Sequence, residues 1–257
     1  MSYQVSIVVV SYKRPHLLKW GLSSLAKQTI PFSFEILVIN DGIRDETEEV
    51  CNQYKEKLNL KYLFTGERNL DGETKWRVPG FALNIGAKQV TGEVMILADA
   101  EMFHLNDTIV QLTQPVLDNP KLLSIPIVRD DTDSSFLDFV MNHEGSFDPN
   151  SYENYPALNR CLPFFMALNR HEFMSIGGYD EDFTGIGYDD NDLIDRLQAN
   201  GCGYYQTAAK TIHLYHPRQD VFDPTNEGHA ALLYNCDLYL ARKGIIVRNQ
   251  NREWGKL

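Results

Sequence analysis

The chain has 257 residues and a formal net charge of −11, which argues against a nucleic-acid-binding protein and against a face that binds anionic lipid. Hydrophobic residues make up 43% and charged residues 23% of the sequence, which excludes a disordered or fibrous protein and is typical of a globular chain with a sizeable core. The four cysteines lie far apart without a CxxC pair, so neither a disulfide framework nor a zinc knuckle is indicated.

Three unbroken apolar runs predict parallel strands, at residues 5–10, 36–39 and 94–98. Runs of this kind suit strands covered on both faces, because half-exposed strands alternate polar and apolar residues. Helical patterns separate the runs, at residues 15–28, 45–58 and 81–90. The first of these has Pro15 in its first turn. The order β-α-β-α-(β)-α-β predicts an α/β fold with a doubly wound, mainly parallel sheet and helices on both faces.

Polar residues follow each run at the point where the strand is expected to end. They are Ser11-Tyr12, Asn40-Asp41-Gly42 and Asp99-Ala100-Glu101. Ligands of doubly wound sheets bind outside the carboxyl ends of the strands. Asp99 and Glu101 are one residue apart, so alternation points both side chains the same way and lets them share one divalent cation. The alternative is that they are solvated loop acids.

Residues 129–160 are rich in Asp, Ser, Asn and Pro and are predicted to form a long irregular excursion. Long loops in compact domains are often functional lids. We expect this segment to contribute to a ligand site, because the flat apolar faces of Phe147, Tyr152 and Tyr155 suit stacking on sugar rings.

Residues 177–192 are dense in carboxylates and glycines, which we expect to stay outside the core. A helix is predicted to follow, with Gly201 as its C-terminal stop. The stretch Asp189-Asp190-Asn191-Asp192 opens that helix, so one of these residues is expected to be the N-cap. The positive end of the helix dipole is also expected to keep a nearby carboxylate ionised, the state that a general base needs.

His213 and His216 end another β-rich run. Histidine together with carboxylates gives a mixed oxygen and nitrogen ligand set, which suits Mn²⁺ better than Ca²⁺ and leaves Mg²⁺ open. The alternative is that either histidine is an ordinary hydrogen-bonded strand residue.

These motifs together resemble a known enzyme family. The opening VSIVVVSYKRPHLLKWGLSSLAKQT, the EILVINDG strand and the GEVMILADAEM strand resemble the nucleotide-binding half of family 2 glycosyltransferases. GGYDEDFTGIGYDDNDLIDRLQANG with HLYHP is similar to the C-terminal half shared by β-1,4-galactosyltransferases, polypeptide N-acetylgalactosaminyltransferases and chondroitin-type polymerases. The resemblance covers about residues 4–218. It implies a single GT-A domain over residues 1–257, with a nucleotide-sugar-binding half (1–105) and an acceptor-binding, catalytic half (106–257).

The resemblance also implies roles for residues at the donor site. Asp41 would bind the nucleotide base, Asp99 the ribose or the metal, and Glu101 the metal, at a position where most relatives carry aspartate. His213 matches the metal histidine better than His216. Leu83 stands where many members place arginine, so diphosphate contacts are assigned to Arg77 or Arg218. The remaining nucleotide-sugar contacts are assigned to Ser11, Tyr12, Arg14 and Ala100.

At the acceptor site the GYDDND stretch places Asp190 at the catalytic base and Asp189 at an acceptor-binding acid. Tyr188 and Asp192 are assigned to the acceptor with them. Because relatives with a base at this position invert the anomeric centre, the resemblance implies a single in-line displacement.

The predicted function is metal-dependent transfer of a hexose or N-acetylhexosamine from a UDP-sugar to a hydroxyl of a glycan or glycoconjugate, with Mn²⁺ or Mg²⁺. One rival is a nucleotidyltransferase, although SYKRP has no glycine-rich phosphate loop. The other is a non-catalytic glycan-binding protein on the same fold. No leader or membrane span is recognised, so we expect a cytoplasmic protein, with peripheral docking at the inner face of a membrane as an open alternative. The oligomeric state stays open.

Overall fold

A computed structural model describes residues 3–67, 77–158, 165–218 and 220–257. The strands are β1 (Val5–Ser11), β2 (Phe34–Gly42), β3 (Leu60–Glu67), β4 (Val94–Asp99), β5 (Met102–His104), β6 (Leu122–Asp130), β7 (Phe165–Asn169) and β8 (Gly203–His213). The helices are α1 (Pro15–Leu25), α2 (Thr47–Tyr54), α3 (Pro79–Gln89), α4 (Thr108–Asp118), α5 (Ser135–Asn142), α6 (Arg170–Ser175), α7 (Asp189–Ala199) and α8 (His229–Ala241). A 3-10 helix lies at Pro149–Asn154.

The strands form one sheet in the order β3-β2-β1-β4-β7-β6-β8-β5. The first four strands in chain order are mutually parallel, because β1 pairs with β2 and β4, and β2 pairs with β3. The predicted α/β fold and the order of its first elements are therefore confirmed. The register places Ser11 opposite Asn40, and Val10 opposite Asp99. The polar ends of these strands thus meet at one edge of the sheet.

Helices cover both faces of the sheet, and alternation along the strands explains why. In β1, Ile7 and Val9 face the cluster that contains α1, α2 and α4. The intervening Val8 and Val10 face the cluster that contains α3 and α7. The side chains of β1 are therefore buried on both faces of the sheet, which explains its run of apolar residues.

The second half of the chain extends the same sheet with a mixed pairing. Strand β7 is antiparallel to β4 and β6, while β8 is parallel to β6 and antiparallel to β5. Because β5 precedes residue 105 and pairs with β8, the two halves assigned from the sequence share one sheet. That functional division stays a prediction.

The segment at residues 129–160 is more ordered than expected. It contains the end of β6, the helix α5 and the 3-10 helix, and its last two residues lie outside the described part of the chain. Tyr152 is 1% exposed and donates its hydroxyl hydrogen to the carbonyl oxygen of Ile127. Phe147 packs edge-on against Phe103, and Tyr155 packs in the same way against Phe136. The prediction that Tyr152 stacks on a sugar is therefore wrong, because Tyr152 is buried in a third hydrophobic cluster. Phe147 and Tyr155 are only partly buried against that cluster, so sugar stacking stays a prediction for them.

The C-terminal residues return to the body of the protein after α8. The backbone of Arg248 donates to the carbonyl oxygen of Ile176, and the Trp254 ring lies beside Gly178 and Phe173. Gly177 has φ +78, and a Cβ there would lie 2.1 Å from the carbonyl oxygen of Arg248. This approach requires glycine. In the described ranges, no helix has both the length and the apolarity to cross a membrane.

We expect His104 to make the protein less stable as the pH falls. Burial lowers the pKa of His104 from 6.5 to about 3, so between these values the unfolded chain holds a proton that the folded chain does not. Stability should then fall with decreasing pH by about 1.4 kcal/mol per pH unit from this residue. Urea unfolding between pH 7 and 5 should show a shallower slope for His104→Gln. The control for loss of a histidine is His143→Gln, because His143 is exposed. A slope in His104→Gln equal to that of the wild type would contradict the prediction.

Candidate active site

The site lies where β4 leaves the sheet and the chain turns back as β5. Met102 of β5 pairs with His213 at the end of β8, and Asp130 at the end of β6 pairs with the same His213. The backbone N–H of Leu214 donates to the carbonyl oxygen of Glu101. Strand register thus brings residues from three distant parts of the sequence to one edge.

Glu101, His213 and His216 form a compact group of possible metal ligands. One ligand atom from each lies within 4.8 Å of the others. The Glu101 Oε1 atom is 3.4 Å from His216 Nε2 and 3.8 Å from His213 Nε2. One carboxylate and two imidazoles fit a divalent first-row transition metal such as Mn²⁺, and fit Ca²⁺ less well. Asp99 lies outside this group, while both candidate histidines lie within it.

Arg14, His213 and His216 favour the ionised form of Glu101. Arg14 Nη1 lies 3.3 Å from Glu101 Oε1. Burial by itself would raise the pKa of Glu101, but the hydrogen bond from His216 and the charges of Arg14 and the histidines lower it to about 2. A carboxylate in this state is ready to bind a cation.

Asp130 supports His213 from the side opposite Glu101. Its Oδ1 atom lies 3.2 Å from His213 Nδ1, and both of its oxygens accept from Arg218, at 2.5 and 2.9 Å. Burial tends to raise the pKa of Asp130, but His213 and Arg218 hold it well below its usual range. Arg218, assigned to the diphosphate from the sequence, therefore lies directly beside the metal-binding group.

The first turn of α7 supplies a second pair of acids, Asp189 and Asp190. Burial raises the pKa of Asp189 to about 6, although the backbone N–H groups of Gly80 and Asp190 oppose this shift. Burial and the charge of Asp189 raise the pKa of Asp190 well above its ordinary value, and its hydrogen bond from Tyr179 opposes the rise. Both shifts are opposite to the one expected from the helix dipole, because burial and repulsion between acids outweigh the dipole.

The two acidic groups act on one another across the site. Burial raises the pKa of Asp99 well above its usual range, and the charges of Glu101 and Asp190 raise it further, while Arg14 lowers it. Charges influence each other in this way only over short separations in a protein interior. Asp99 is therefore influenced by acids both of the candidate ligand group and of the start of α7.

A hydrogen-bonded scaffold holds Asp190 in place. The Tyr179 hydroxyl donates to Asp190 Oδ1 at 3.1 Å, and Tyr179 is fully buried. Asn84 of α3 accepts from the backbone N–H of Tyr179 and donates to its carbonyl oxygen. A Cβ at Gly80 would lie 2.2 Å from the Tyr179 ring. Glycine is therefore needed for α3 to approach this tyrosine.

Three of the other acids of residues 177–192, Asp180, Asp182 and Asp192, are paired with arginines. Asp192 Oδ2 accepts from Arg196 Nε at 2.7 Å, and its Oδ1 accepts from Arg248 Nη2 at 2.7 Å. Asp180, which is 0% exposed, lies 2.9 Å from Arg248 Nε and also pairs with Arg242. The expectation that these acids stay outside the core is wrong, because the buried charges are paired.

This network also corrects the role given to Asp192. Asp192 is 2% exposed, with an arginine on each carboxylate oxygen, so it belongs to the scaffold and not to an acceptor surface. The predicted N-cap among residues 189–192 is wrong as well, since α7 begins at Asp189 and its N-cap is Tyr188, at φ +67. The helix stops as predicted, with Gly201 at φ +90.

Tyr188 is half-buried and packs against Tyr239 of α8, with ring centroids 5.5 Å apart. Its hydroxyl hydrogen-bonds with the thiol of Cys236, and this contact is the main cause that raises the pKa of Tyr188. Tyr188 therefore precedes Asp189 and packs against α8. Its role in acceptor binding stays a prediction.

The remaining donor-site candidates are spread along the sheet edge. Asp41 accepts from the hydroxyl of Thr65 at 2.7 Å, and Tyr12 lies beneath the ammonium group of Lys13. Arg77 donates to the carbonyl oxygen of Glu181 and stacks on Phe81, so it ties α3 to the loop before α7.

Two candidates present only their backbone at this edge. Ser11 is 1% exposed, and its hydroxyl is hydrogen-bonded to that of Thr47. The buried side chain of Ser11 is therefore not exposed for the predicted contact with the nucleotide-sugar. Ala100 is 2% exposed, and its N–H donates to the carbonyl oxygen of Val10.

Sequence reasoning missed Asp130 and Tyr179. Asp130 had a usable signal, because it follows an apolar run (LLSIPIV) just as Asp41 and Asp99 follow theirs. Tyr179 had none, since nothing in its neighbourhood along the chain indicates that its hydroxyl reaches Asp190.

Comparison with protein families gives two overlapping matches. A family model described as glycosyl transferase family 2 matches residues 6–176. A second, described as the N-terminal domain of galactosyltransferase, matches residues 154–220. The two matches together include Asp99, Glu101, Asp130, the start of α7 and both histidines.

Among characterised relatives, the chain is similar to validoxylamine A glucosyltransferase of Streptomyces hygroscopicus subsp. limoneus, with 27% identity over 93% of this chain and 56% of the relative. It is also similar to chondroitin synthase of Escherichia coli, with 24% identity over 82% of this chain and 34% of that protein. The chain thus spans about half or less of the length of these relatives.

Solved structures share the fold. A mannosyltransferase from Pyrobaculum calidifontis, in complex with GDP-Man and Mn²⁺, has a TM-score of 0.61 and 18% identity, covering 95% of this chain and 66% of its own. GalNAc-T7 with UDP, GalNAc and Mn²⁺ has a TM-score of 0.63 and 15% identity, covering 93% and 50%. Staphylococcus aureus TarS residues 1–349 with UDP-GlcNAc has a TM-score of 0.60 and 16% identity, covering 94% and 66%.

We expect Asp192→Asn to destabilise the fold strongly. The change leaves the buried guanidinium groups of Arg196 and Arg248 without one counter-charge, which typically costs about 3 to 5 kcal/mol. Urea unfolding at pH 7 measures the loss. The control is Asp195→Asn on the exposed side of the same helix, where a change of about 1 kcal/mol or less is expected. Equal losses in the two variants would show that the buried network is not a major source of stability.

Proposed function

Because the chain belongs to glycosyl transferase family 2, we propose that it is an inverting, metal-dependent glycosyltransferase that moves a hexose or N-acetylhexosamine from a UDP-sugar to a glycan hydroxyl. The observation that carries this proposal is the group of possible metal ligands Glu101, His213 and His216, which forms directly after Asp99 at the end of β4. The candidate base Asp190 lies in the first turn of α7, and its charge is one of the causes that raise the pKa of the buried Asp99. We infer that the cation site and the base act on one substrate.

A uridine donor is favoured by the structural relatives. Structures of GalNAc-T7 and TarS contain UDP or UDP-GlcNAc, while that of the mannosyltransferase contains GDP-Man. Asp41 at the end of β2 is assigned to the base. Arg14 and Arg218, which lie against acids of the cation site, are assigned to the diphosphate because guanidinium groups bind phosphate oxygens well.

Glu101, His213 and His216 are assigned to a divalent metal, with Asp99 beside them. Mn²⁺ or Mg²⁺ bound there would neutralise the charge that develops on the departing nucleoside diphosphate. The donor set of this group fits Mn²⁺, and two structural relatives are Mn²⁺ complexes.

Asp190 is assigned as the general base. In an inverting displacement it removes the proton of the acceptor hydroxyl as the oxygen attacks the anomeric carbon from the face opposite the diphosphate. Tyr179 fixes one carboxylate oxygen of Asp190 through its hydroxyl, which leaves the other oxygen to take the proton. Asp189 and Tyr188 are assigned to orientation of the acceptor. The raised pKa of Asp190 makes it a stronger base than an ordinary aspartate.

We expect UDP binding to need a divalent metal. Calorimetric titration with UDP should show binding with Mn²⁺ and a large loss of affinity with excess chelator. Glu101→Gln should reproduce the loss with Mn²⁺ present, because it removes the anionic ligand. Glu93→Gln is the matched control, since Glu93 is exposed near the opposite end of β4. Unchanged UDP affinity after chelation would refute metal dependence.

We expect Asp190→Asn to abolish most transfer while it preserves the fold. Asparagine keeps the size and one acceptor oxygen but takes no proton, so kcat should fall by roughly 10² to 10⁴-fold. UDP affinity and Tm should change little. Asp195→Asn on the same helix is the control. Near wild-type turnover of Asp190→Asn would leave Asp189 as the next candidate.

The pH profile gives an independent measurement on Asp190. A base acts only when it is deprotonated, and the pKa of Asp190 is raised above the ordinary 3.8. Activity should therefore fall with decreasing pH, with an acid limb well above pH 4. An acid limb at or below pH 4 would contradict the assignment.

A further inference from the structure

Asp130 is a buried acid that no sequence motif or family role assigns, and it touches one of the candidate metal ligands. It ends β6 directly opposite His213 of β8 and is 5% exposed. Its position is fixed by the sheet and also by its neighbour, since the N–H of Asp131 donates to the carbonyl oxygen of His213. The Asp131 carboxylate accepts from the N–H groups of Leu137 and Tyr215. The end of β6 is therefore rigid with respect to the histidine segment.

The two ring nitrogens of His213 have different surroundings. Nε2 lies 3.8 Å from Glu101, within the ligand group. Nδ1 lies 3.2 Å from Asp130 Oδ1 and 3.1 Å from Arg218 Nη2. A neutral imidazole carries one proton, so whichever nitrogen holds it cannot bind a metal. The partner of Nδ1 consequently decides whether Nε2 can be a ligand.

Asp130 and Arg218 impose opposite choices on that nitrogen. An ionised carboxylate can only accept, so Asp130 favours the tautomer with hydrogen on Nδ1 and a free lone pair on Nε2. A guanidinium can only donate, so Arg218 favours the tautomer with hydrogen on Nε2. In the structure Arg218 is held by both oxygens of Asp130. The carboxylate thus binds the competing donor as well as the imidazole.

We propose that Asp130 is a positioning residue that sets the tautomer of His213 so that Nε2 faces the metal. This inference rests on the proposed function, because it gives the proposed cation site a residue that orients one of its ligands. A carboxylate behind a metal-binding histidine fixes the orientation of the ring and raises its basicity, and loss of such a partner typically weakens metal binding by about 10 to 100-fold.

The test measures the metal-free tautomer and the Mn²⁺ affinity without nucleotide or acceptor. Long-range ¹H–¹⁵N correlation spectra report which nitrogen of a neutral histidine carries the hydrogen, and a His213→Asn variant assigns the signal among the seven histidines. Electron paramagnetic resonance of free Mn²⁺ gives the dissociation constant. Neither measurement depends on sugar transfer, so failure of the role of Asp130 is distinguishable from failure of the proposed function.

In the wild type we expect hydrogen on Nδ1. Asp130→Ala should move it to Nε2, because Arg218 becomes the partner, and should weaken Mn²⁺ binding by about 10 to 100-fold. Asp130→Asn keeps an acceptor oxygen and should give a mixture of tautomers with a smaller loss. The control Asp133→Asn removes an exposed acid three residues away, and should change neither quantity by more than about twofold.

Hydrogen on Nε2 in the wild type would overturn the proposal, as would an Asp130→Ala variant with both the wild-type tautomer and the wild-type affinity. An equal loss of affinity in Asp133→Asn would overturn it too, because it would reveal a general effect of charge. If Asp130→Ala does not fold, Asp130→Asn decides, and wild-type values for both quantities in that variant would reject the role of Asp130. If the wild type binds no Mn²⁺, metal dependence fails, and the tautomer still decides on Asp130.

Discussion

The buried ion-pair network around Asp180 and Asp192 is the interaction on which the active-site geometry depends. Arg248 joins these two acids, and Arg196 joins Asp192 to the carbonyl oxygens of Ile176 and Gly178. The network therefore connects the start of α7, the glycine turn before it and the C-terminal segment. Each charge is costly to bury alone, so removing one partner disturbs all three.

This network decides which acids remain available for chemistry. Asp189 and Asp190 follow the same acidic stretch as Asp180, but their neighbours are hydrogen-bond donors and other acids, and both have raised pKa values. Acids paired with arginines thus form the frame, whereas burial together with the charges of nearby acids, Asp190 and Asp189 among them, raises the pKa of Asp99. The chain has a net charge of −11, and repulsion among Asp99, Glu101 and Asp190 adds to the rise in the pKa of Asp99 that burial causes. A bound cation would relieve this repulsion.

At the candidate cation site, in contrast, the acids have cationic neighbours. Glu101 and Asp130 flank His213, and each carboxylate also contacts an arginine, Arg14 or Arg218. The pKa values of both carboxylates are lowered. The acids that flank His213 and the acids at the start of α7 are therefore driven in opposite directions by their surroundings, the first toward permanent charge and the second toward proton uptake. Such divergence is what separates ligands from bases in enzyme sites.

The sequence by itself determined the α/β fold, the order of the first seven elements and the acids at the strand ends, because unbroken apolar runs and helical spacing are local signals. Only the tertiary structure decided which polar residues do which task. The register of β8 brings His213 to Asp130, and Arg248, 56 residues along the chain, pairs with Asp192 together with Arg196 and removes it from the acceptor surface. Burial, which a sequence does not display, raises the pKa of Asp190, a shift opposite to the one expected from the helix dipole. Partners distant along the chain set burial and charge, so no local pattern carries that information.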